Sequence, residues 1–137
     1  MNFSSINWLA VLVCVIISMV SGSLWYNPKT FFPIWWEGIG KGKNDKPGTA
    51  NMGMVWGLTL LSSVVQAIFV GVVVHSLGSH SLPAGALTGF FLWLGFVAPT
   101  NLVNKLFAGH SLKVWAIEAG NHLVNFVIFG AIFGMWH

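Results

Sequence analysis

The chain has 137 residues, of which 55% are hydrophobic and only 7% are charged, and its mean hydropathy is +0.77. Because soluble domains carry about 25% charged residues, this composition excludes a water-soluble fold and indicates an integral membrane protein. The formal net charge is +3, and every basic residue is a lysine. Without arginine, the bidentate base contacts of many nucleic-acid readers are missing, so we expect no nucleic-acid partner.

Four apolar stretches are long enough to cross a bilayer, at about 20 residues per crossing. They predict spans at about 8–26, 52–75, 82–105 and 114–136 within a single transmembrane domain that covers residues 1–137. The segment before the first span has no Lys or Arg, unlike a signal peptide, so we expect this span to be retained. Pro99 lies inside the third span and predicts a kink near Gly95.

The connection between the first and second spans contains an aromatic stretch at residues 30–40 that is too short to cross a membrane. Its Phe and Trp side chains favour a short segment lying in the headgroup region. A polar tip with Lys41, Lys43 and Lys46 follows. These lysines either touch anionic lipid or belong to a solvated loop that only fixes topology.

All six lysines lie in the first and third connections, and none lies in the tails or the middle turn. With four crossings, these two connections share one side of the membrane. The positive-inside rule therefore predicts that both termini are non-cytoplasmic.

The fourth span carries a polar stripe of Glu118, Asn121, His122 and Asn125, at positions i, i+3, i+4 and i+7 of one helical face. Such side chains are costly in lipid, so they should face a bundle interior or a wet cavity. Glu118 and His122 can meet across one turn. The pair is either a proton, ion or solute pathway or a hydrogen-bonded network that fixes helix packing.

The third span can supply partners for this stripe. Folding the last hairpin back places Thr100 and Asn101 near the level of Glu118. Lys105 lies about one turn closer to the lysine-rich side, and its long side chain can snorkel toward either level. We expect Thr100 and Asn101 to contribute to the same polar network.

The second span carries its own polar positions and runs parallel to the fourth. Gln66 and Ser62 lie at about mid-depth, where they can face Asn121 and Asn125. Interhelical hydrogen bonds of this kind contribute roughly 0.6 kcal/mol each on average. Gln66 is therefore included in the expected network.

Pairs of glycines four residues apart recur in the second, third and fourth spans, as in Gly85/Gly89 and Gly130/Gly134. They favour close helix packing or self-association, and we expect a homo-oligomer. His75, His80 and His137 share one side but have no Cys or carboxylate beside them, so no metal site is expected. No phosphate loop, zinc-protease motif or nucleophile elbow is present, which argues against an enzyme and against a bound cofactor.

Five short motifs stand out along the chain: Gly22-Ser-Leu-Trp-Tyr-Asn-Pro, Gly95-Phe-Val-Ala-Pro-Thr, Leu102-Val-Asn, Ser111-Leu-Lys and Ile117-Glu-Ala-Gly-Asn-His-Leu-Val-Asn. Together they resemble a bacterial family of small four-helix membrane proteins catalogued as domain of unknown function 1761. The resemblance implies four spans and an inner-membrane location, and it implies no activity. Asn27 replaces an expected Ser, and Asn121 replaces an expected aromatic residue, which makes the polar stripe wetter.

The sequence thus predicts an all-α membrane protein with four transmembrane helices and a short interfacial segment between helices one and two. It is expected in the bacterial inner membrane, with the lipid bilayer and its own copies as partners. The leading functional hypothesis is a small transporter or channel-like protein that uses the polar stripe. The alternative is a structural or accessory protein in which the stripe only fixes packing and assembly.

Overall fold

The computed structural model describes residues 3–41 and 52–136. These residues form α-helices and one π-helical turn. The α-helices are α1 (Trp8–Trp25), α2 (Phe32–Gly38), α3 (Met52–Ser76), α4 (Leu82–Leu92), α5 (Ala98–Phe107) and α6 (Leu112–Met135). Lys43, Lys46 and His137 lie outside the described residues. In the described part, four helices are long and apolar enough to cross a membrane, as predicted, because α4 and α5 belong to one continuous helix, Leu82–Phe107.

Both ends of α1 are closed by side chains. The Asn7 carboxamide oxygen accepts a hydrogen bond from the Ala10 N–H at 3.2 Å, which satisfies one of the free donors of the first turn. At the other end, the Thr30 hydroxyl lies 2.7 Å from the Leu24 carbonyl and 2.9 Å from the Trp25 carbonyl. The chain then turns directly into α2, a seven-residue helix with Pro33 in its first turn. The aromatic stretch is therefore held close to the end of α1.

The third span is interrupted where Pro99 removes a backbone donor. A π-helical turn, Trp93–Val97, joins α4 to α5, and the Ala98 N–H bonds to the Trp93 carbonyl five residues back. This turn lies at the position where the sequence predicts a kink, around Gly95. A π-turn re-pairs part of the backbone near a proline, which matters where no water can do so.

The helix at the centre of the bundle is α6. It contacts α1, α2, α3, α4 and α5. Half of its apolar window is buried inside the protein, against 28% or less for each other span. Its closest neighbour is α4, because both helices carry glycine where their backbones meet. A Cβ on Gly85 or Gly89 would collide with the main chain of α6 at Gly130 or Phe126, respectively.

The apolar core occupies one end of the bundle. It joins the first turns of α1, the last turns of α3 and the last turns of α6, with Cys14, Val70, Val74 and Phe129 almost fully buried. The opposite end contains the described lysines, the end of α1, all of α2 and the start of α6. There the packing is looser and polar, and this is where the stripe lies.

Candidate functional site: an ion pair and a cavity at the lysine-rich end

Glu118 forms a partly buried ion pair with a lysine of the preceding helix. Its Oε2 atom lies 3.1 Å from Lys105 Nζ, and the two side chains are 17% and 21% exposed, respectively. The same oxygen accepts a hydrogen bond from the Trp35 indole N–H at 3.0 Å. Three separate helices, α2, α5 and α6, therefore meet at one carboxylate oxygen.

The short helix α2 is positioned by aromatic contacts that bring Trp35 to this carboxylate. The Trp35 ring packs edge-on against Tyr26, with centroids 5.3 Å apart, and lies beside Phe32 at 6.0 Å. Trp25, at the end of α1, packs on Phe31 at 4.9 Å. This aromatic packing explains how a helix of only seven residues can hold a defined orientation. The sequence gives Trp35 as an interfacial residue but does not identify it as a partner of Glu118.

His122 lies one turn along α6 from Glu118, but the two side chains do not form the pair that their spacing suggested. The carboxylate is bonded to Lys105 and Trp35 instead. The Nδ1 atom of His122 is buried and has no hydrogen-bond partner. The expectation of a direct bond between Glu118 and His122 is therefore wrong, because the carboxylate is bonded to the Lys105 ammonium and the Trp35 indole N–H instead.

A cavity of about 570 Å³ opens beside His122, between α1, α2, α3 and α6. Its wall is mainly apolar and aromatic, with a smaller polar part. The polar and aromatic lining residues are Ser23, Tyr26, Phe32, Trp35, Trp56, Thr59, Asn121 and His122. The cavity thus brings together the middle of the predicted stripe and the aromatic segment between the first two spans.

The other half of the stripe is internally paired. The Ser21 hydroxyl on α1 donates to the Asn125 carboxamide oxygen at 2.6 Å and lies 3.5 Å from the Asn121 amide nitrogen. Asn121 and Asn125 are both buried. Their hydrogen-bond partner comes from α1, not from Gln66 and Ser62 on α3 as the parallel-helix argument suggested. The sequence signal for this contact is the hydroxyl of Ser21 itself, which identifies a partner only once the face of the first span that packs on the fourth span is known.

The remaining predicted site residues lie apart from this centre. Thr100 is exposed, Asn101 is half-buried on α5, and Gln66 is half-buried in an apolar groove beside Val70 and Phe126. None of the three makes a described hydrogen bond to the stripe. Of the residues expected on the third span, Lys105 is the one that reaches Glu118.

Tryptophan indoles fix the backbone around Glu118. Trp25 donates to the Ile117 carbonyl at 2.7 Å, and Trp93 donates to the Ala119 carbonyl at 2.8 Å. Trp115 on α6 donates to the Ala98 carbonyl beside the π-helical turn at 3.0 Å. Because the acceptors are main-chain carbonyls, these bonds fix the position of one helix along another and do not depend on which side chains lie nearby. Trp93, in the π-helical turn, is thus part of this framework.

Metal binding has no geometric support in residues 3–41 and 52–136. Among them, no three His, Cys, Asp or Glu side chains lie close enough together to hold an ion. His75 and His80 do approach each other, with ring centroids 6.3 Å apart. His137 lies outside the described residues.

Four long apolar helices that carry a partly buried ion pair and a polar network define a small multi-pass membrane protein. The chain belongs to the family of proteins of unknown function DUF1761, whose model matches residues 9–134. Apart from Trp8 and Met135 at the outer ends of α1 and α6, this match covers the helices, and it includes the ion pair and the polar stripe. No curated protein and no solved structure matches the chain significantly.

Proposed function

We propose that the protein is a small transporter or channel-like protein of the bacterial inner membrane, and that protons pass by way of His122 and Glu118. The observation that carries this proposal is the position of His122. It lies on the wall of a large cavity, has a buried nitrogen without a partner, and is one helical turn from a partly buried ion pair. An ionisable group at membrane depth is a functional hypothesis by default.

The arrangement of charges supports a proton step. Lys105 neutralises Glu118, and its flexible stem lets the ammonium move toward the membrane surface. A proton arriving at Glu118 can then replace the lysine as the compensating charge. Residues i and i+4 on a helix are about 6 Å apart at Cβ, so one water can bridge Glu118 and His122.

The groups that face this pair come from every neighbouring helix. Lys105 comes from α5, the Tyr26 hydroxyl from the end of α1 and the Trp35 indole from α2. The part of α3 that lines the cavity contributes Val55, Trp56 and Thr59, none of which titrates. Among the described residues, the titratable groups of this site are therefore Glu118, His122, Lys105 and Tyr26.

The orientation in the membrane follows from the lysines. With six lysines in two connections and none elsewhere, the positive-inside rule places the ion-pair end at the cytoplasmic side and both termini outside. The cavity would then open toward the cytoplasmic leaflet. The apolar core would close the pathway on the other side until the helices rearrange.

The test is proton flux into proteoliposomes that contain a trapped pH-sensitive dye, driven by a potassium diffusion potential. Wild-type protein should acidify the vesicles at least tenfold faster than protein-free liposomes. Glu118→Gln and His122→Gln should reduce the rate to that background. Glu37→Gln and His75→Gln are matched controls, because both native side chains are exposed and lie outside the stripe. Wild-type flux at background, or full flux through Glu118→Gln, would exclude the proposal.

A structural or accessory role is the second candidate, and the paired half of the stripe favours it. Ser21 bonds to Asn125 and approaches Asn121, while indole N–H groups bond to carbonyls of α6. These contacts hold helices together, as expected of side chains whose role is packing. If wild type carries no flux, this role becomes the better explanation, and the proteins that co-purify with the chain become the next measurement.

A further inference from the structure

We propose that the cavity between α1, α2, α3 and α6 binds a neutral, mostly apolar ring compound that carries one hydrogen-bond acceptor, such as a ketone or quinone carbonyl. The proposal names a ligand for the cavity that borders the proposed proton pathway. The ligand site and the proposed proton pathway lie in the same place, but the ligand proposal is tested by measuring binding, whereas the proposed function is tested by measuring proton flux.

The size of the cavity suits a small organic molecule. At about 570 Å³, it falls within the range of roughly 300–1,000 Å³ that is usual for ligand pockets. Its wall is contributed by α1, α2, α3 and α6, so a bound molecule would contact all four elements. The rings of Phe32, Trp35 and Trp56 provide flat apolar surfaces for an aromatic or quinoid body.

The charges of the described wall favour a neutral ligand. Among the described lining residues there is no Asp, Glu, Lys or Arg. Glu118, one helical turn from His122, already has Lys105 and Trp35 on one oxygen. A cation or an anion placed against these residues would lose hydration and meet no counter-charge among them, which is unfavourable. A neutral molecule avoids this desolvation cost.

The polar part of the wall indicates an acceptor on the ligand. The sealed Nδ1 of His122 has no partner, and an unpaired acceptor is tolerated more often than an unpaired N–H. If Nδ1 is the unpaired acceptor, the neutral imidazole of His122 carries its single hydrogen on Nε2. That N–H can donate a hydrogen bond to a molecule in the cavity. Tyr26 lines the same cavity, and its phenol hydroxyl is a second donor. A carbonyl oxygen can accept from both.

One glycine allows the cavity to be filled without disturbing the fold. Gly22 lines the cavity, and a Cβ built on it meets no atom within 4 Å. Gly22→Leu should therefore place its side chain in the ligand's space. Gly57 is also free of neighbours at the Cβ position and does not line the cavity. Gly57→Leu is thus a matched control for a larger side chain in a membrane helix.

The test is photolabelling of the full-length protein in lipid nanodiscs with benzophenone, a neutral two-ring ketone, followed by intact-mass measurement and peptide mapping. Labelling should saturate and fall on peptides that contain Met19 and Tyr26. It should drop at least fivefold in Gly22→Leu and stay at the wild-type level in Gly57→Leu. His122→Phe keeps the ring shape but loses the donor, so half-saturation should need about tenfold more probe, as expected for the loss of one hydrogen bond.

Competition separates the chemical classes. Fluorenone should displace the probe, fluorene should need about tenfold more because it lacks the carbonyl, and the cation of 9-aminofluorene should compete least. The proposal is overturned if labelling does not saturate, if Gly22→Leu labels like wild type, or if the cation competes best. It is also overturned if native mass spectrometry finds a phospholipid that fluorenone cannot displace. Saturable labelling without proton flux would remove only the proposed function, and flux without saturable labelling would remove only this inference.

Discussion

The Lys105–Glu118 ion pair gives the most specific energetic prediction. At 3.1 Å, and with an effective dielectric constant of about 20, the attraction between the two charges is about 5 kcal/mol. Desolvation of two mostly buried ions offsets much of it. Removing one partner has a larger effect than the net strength of the pair, because it leaves the other charge buried.

The two single replacements should therefore differ. Lys105→Met leaves the carboxylate with only the Trp35 N–H, and we expect a loss of about 3 kcal/mol in the free energy of unfolding. Glu118→Gln leaves a lysine whose stem can carry its charge to the surface, so the loss should be about 1 kcal/mol. The double variant buries no charge, and its amide still accepts from Trp35. It should lose only about 1 kcal/mol, which gives a coupling energy of about 3 kcal/mol.

The assay is reversible unfolding in mixed micelles by titration with sodium dodecyl sulfate, followed by far-UV circular dichroism. Lys113→Met is the matched control, because Lys113 is exposed on the first turn of α6, and its unfolding curve should overlay the wild-type curve. If the two single losses add to the double loss within about 0.5 kcal/mol, the side chains are not coupled and the argument is refuted.

Four further predictions follow. Gly89→Ala places a methyl group against the facing carbonyl of α6 and should destabilise the protein by about 3 kcal/mol, whereas Gly57→Ala, with open space around it, should leave the unfolding midpoint unchanged. Ser21→Ala strands two buried amides on α6 and should lower the free energy of unfolding by about 1–2 kcal/mol, while proton flux per folded molecule stays at the wild-type rate. Single cysteines should react with an impermeant maleimide in intact cells at position 80 but not at position 43, and the opposite pattern would reverse the topology. Native mass spectrometry from lipid nanodiscs should show a multimer, and a monomer at every concentration would disprove the expected self-association.

Much of the fold could be predicted because the signals are strong in this chain. Runs of about 20 apolar residues have one low-energy form in a bilayer, so the four long helices and the all-α class follow from composition and length. The glycine pairs correctly indicated close packing in the α4–α6 contact, where Gly85, Gly89, Gly130 and Gly134 meet facing backbone. The irregularity near Gly95 followed from the missing donor of Pro99.

The partners in the site were harder to predict. Helical spacing fixes which residues share a face, but it does not fix which neighbour faces that side. Asn121 and Asn125 therefore point toward the bundle interior, as expected. Their partner is Ser21 of α1, however, and not Gln66 or Ser62 of α3. Glu118 could reach Lys105, His122 or Thr100 by depth alone. The outcome depends on α2, whose aromatic contacts bring Trp35 to the carboxylate, and no periodic pattern reports such contacts.

The central position of α6 has a consequence for the order in which the protein is made. The helix that all the others pack against is the last of the four to leave the ribosome, and it is also the least apolar of them. Until it arrives, α1 exposes Ser21, and α4 exposes a glycine face that has nothing to fit against. The earlier spans therefore insert before the helix that unites them. Of these, α1 and α3 contact each other directly, so we expect them to pair first and the last span to complete the bundle. A ribosome stalled before residue 112 would leave a product that is inserted but only partly assembled, and membrane quality-control proteases should remove it quickly.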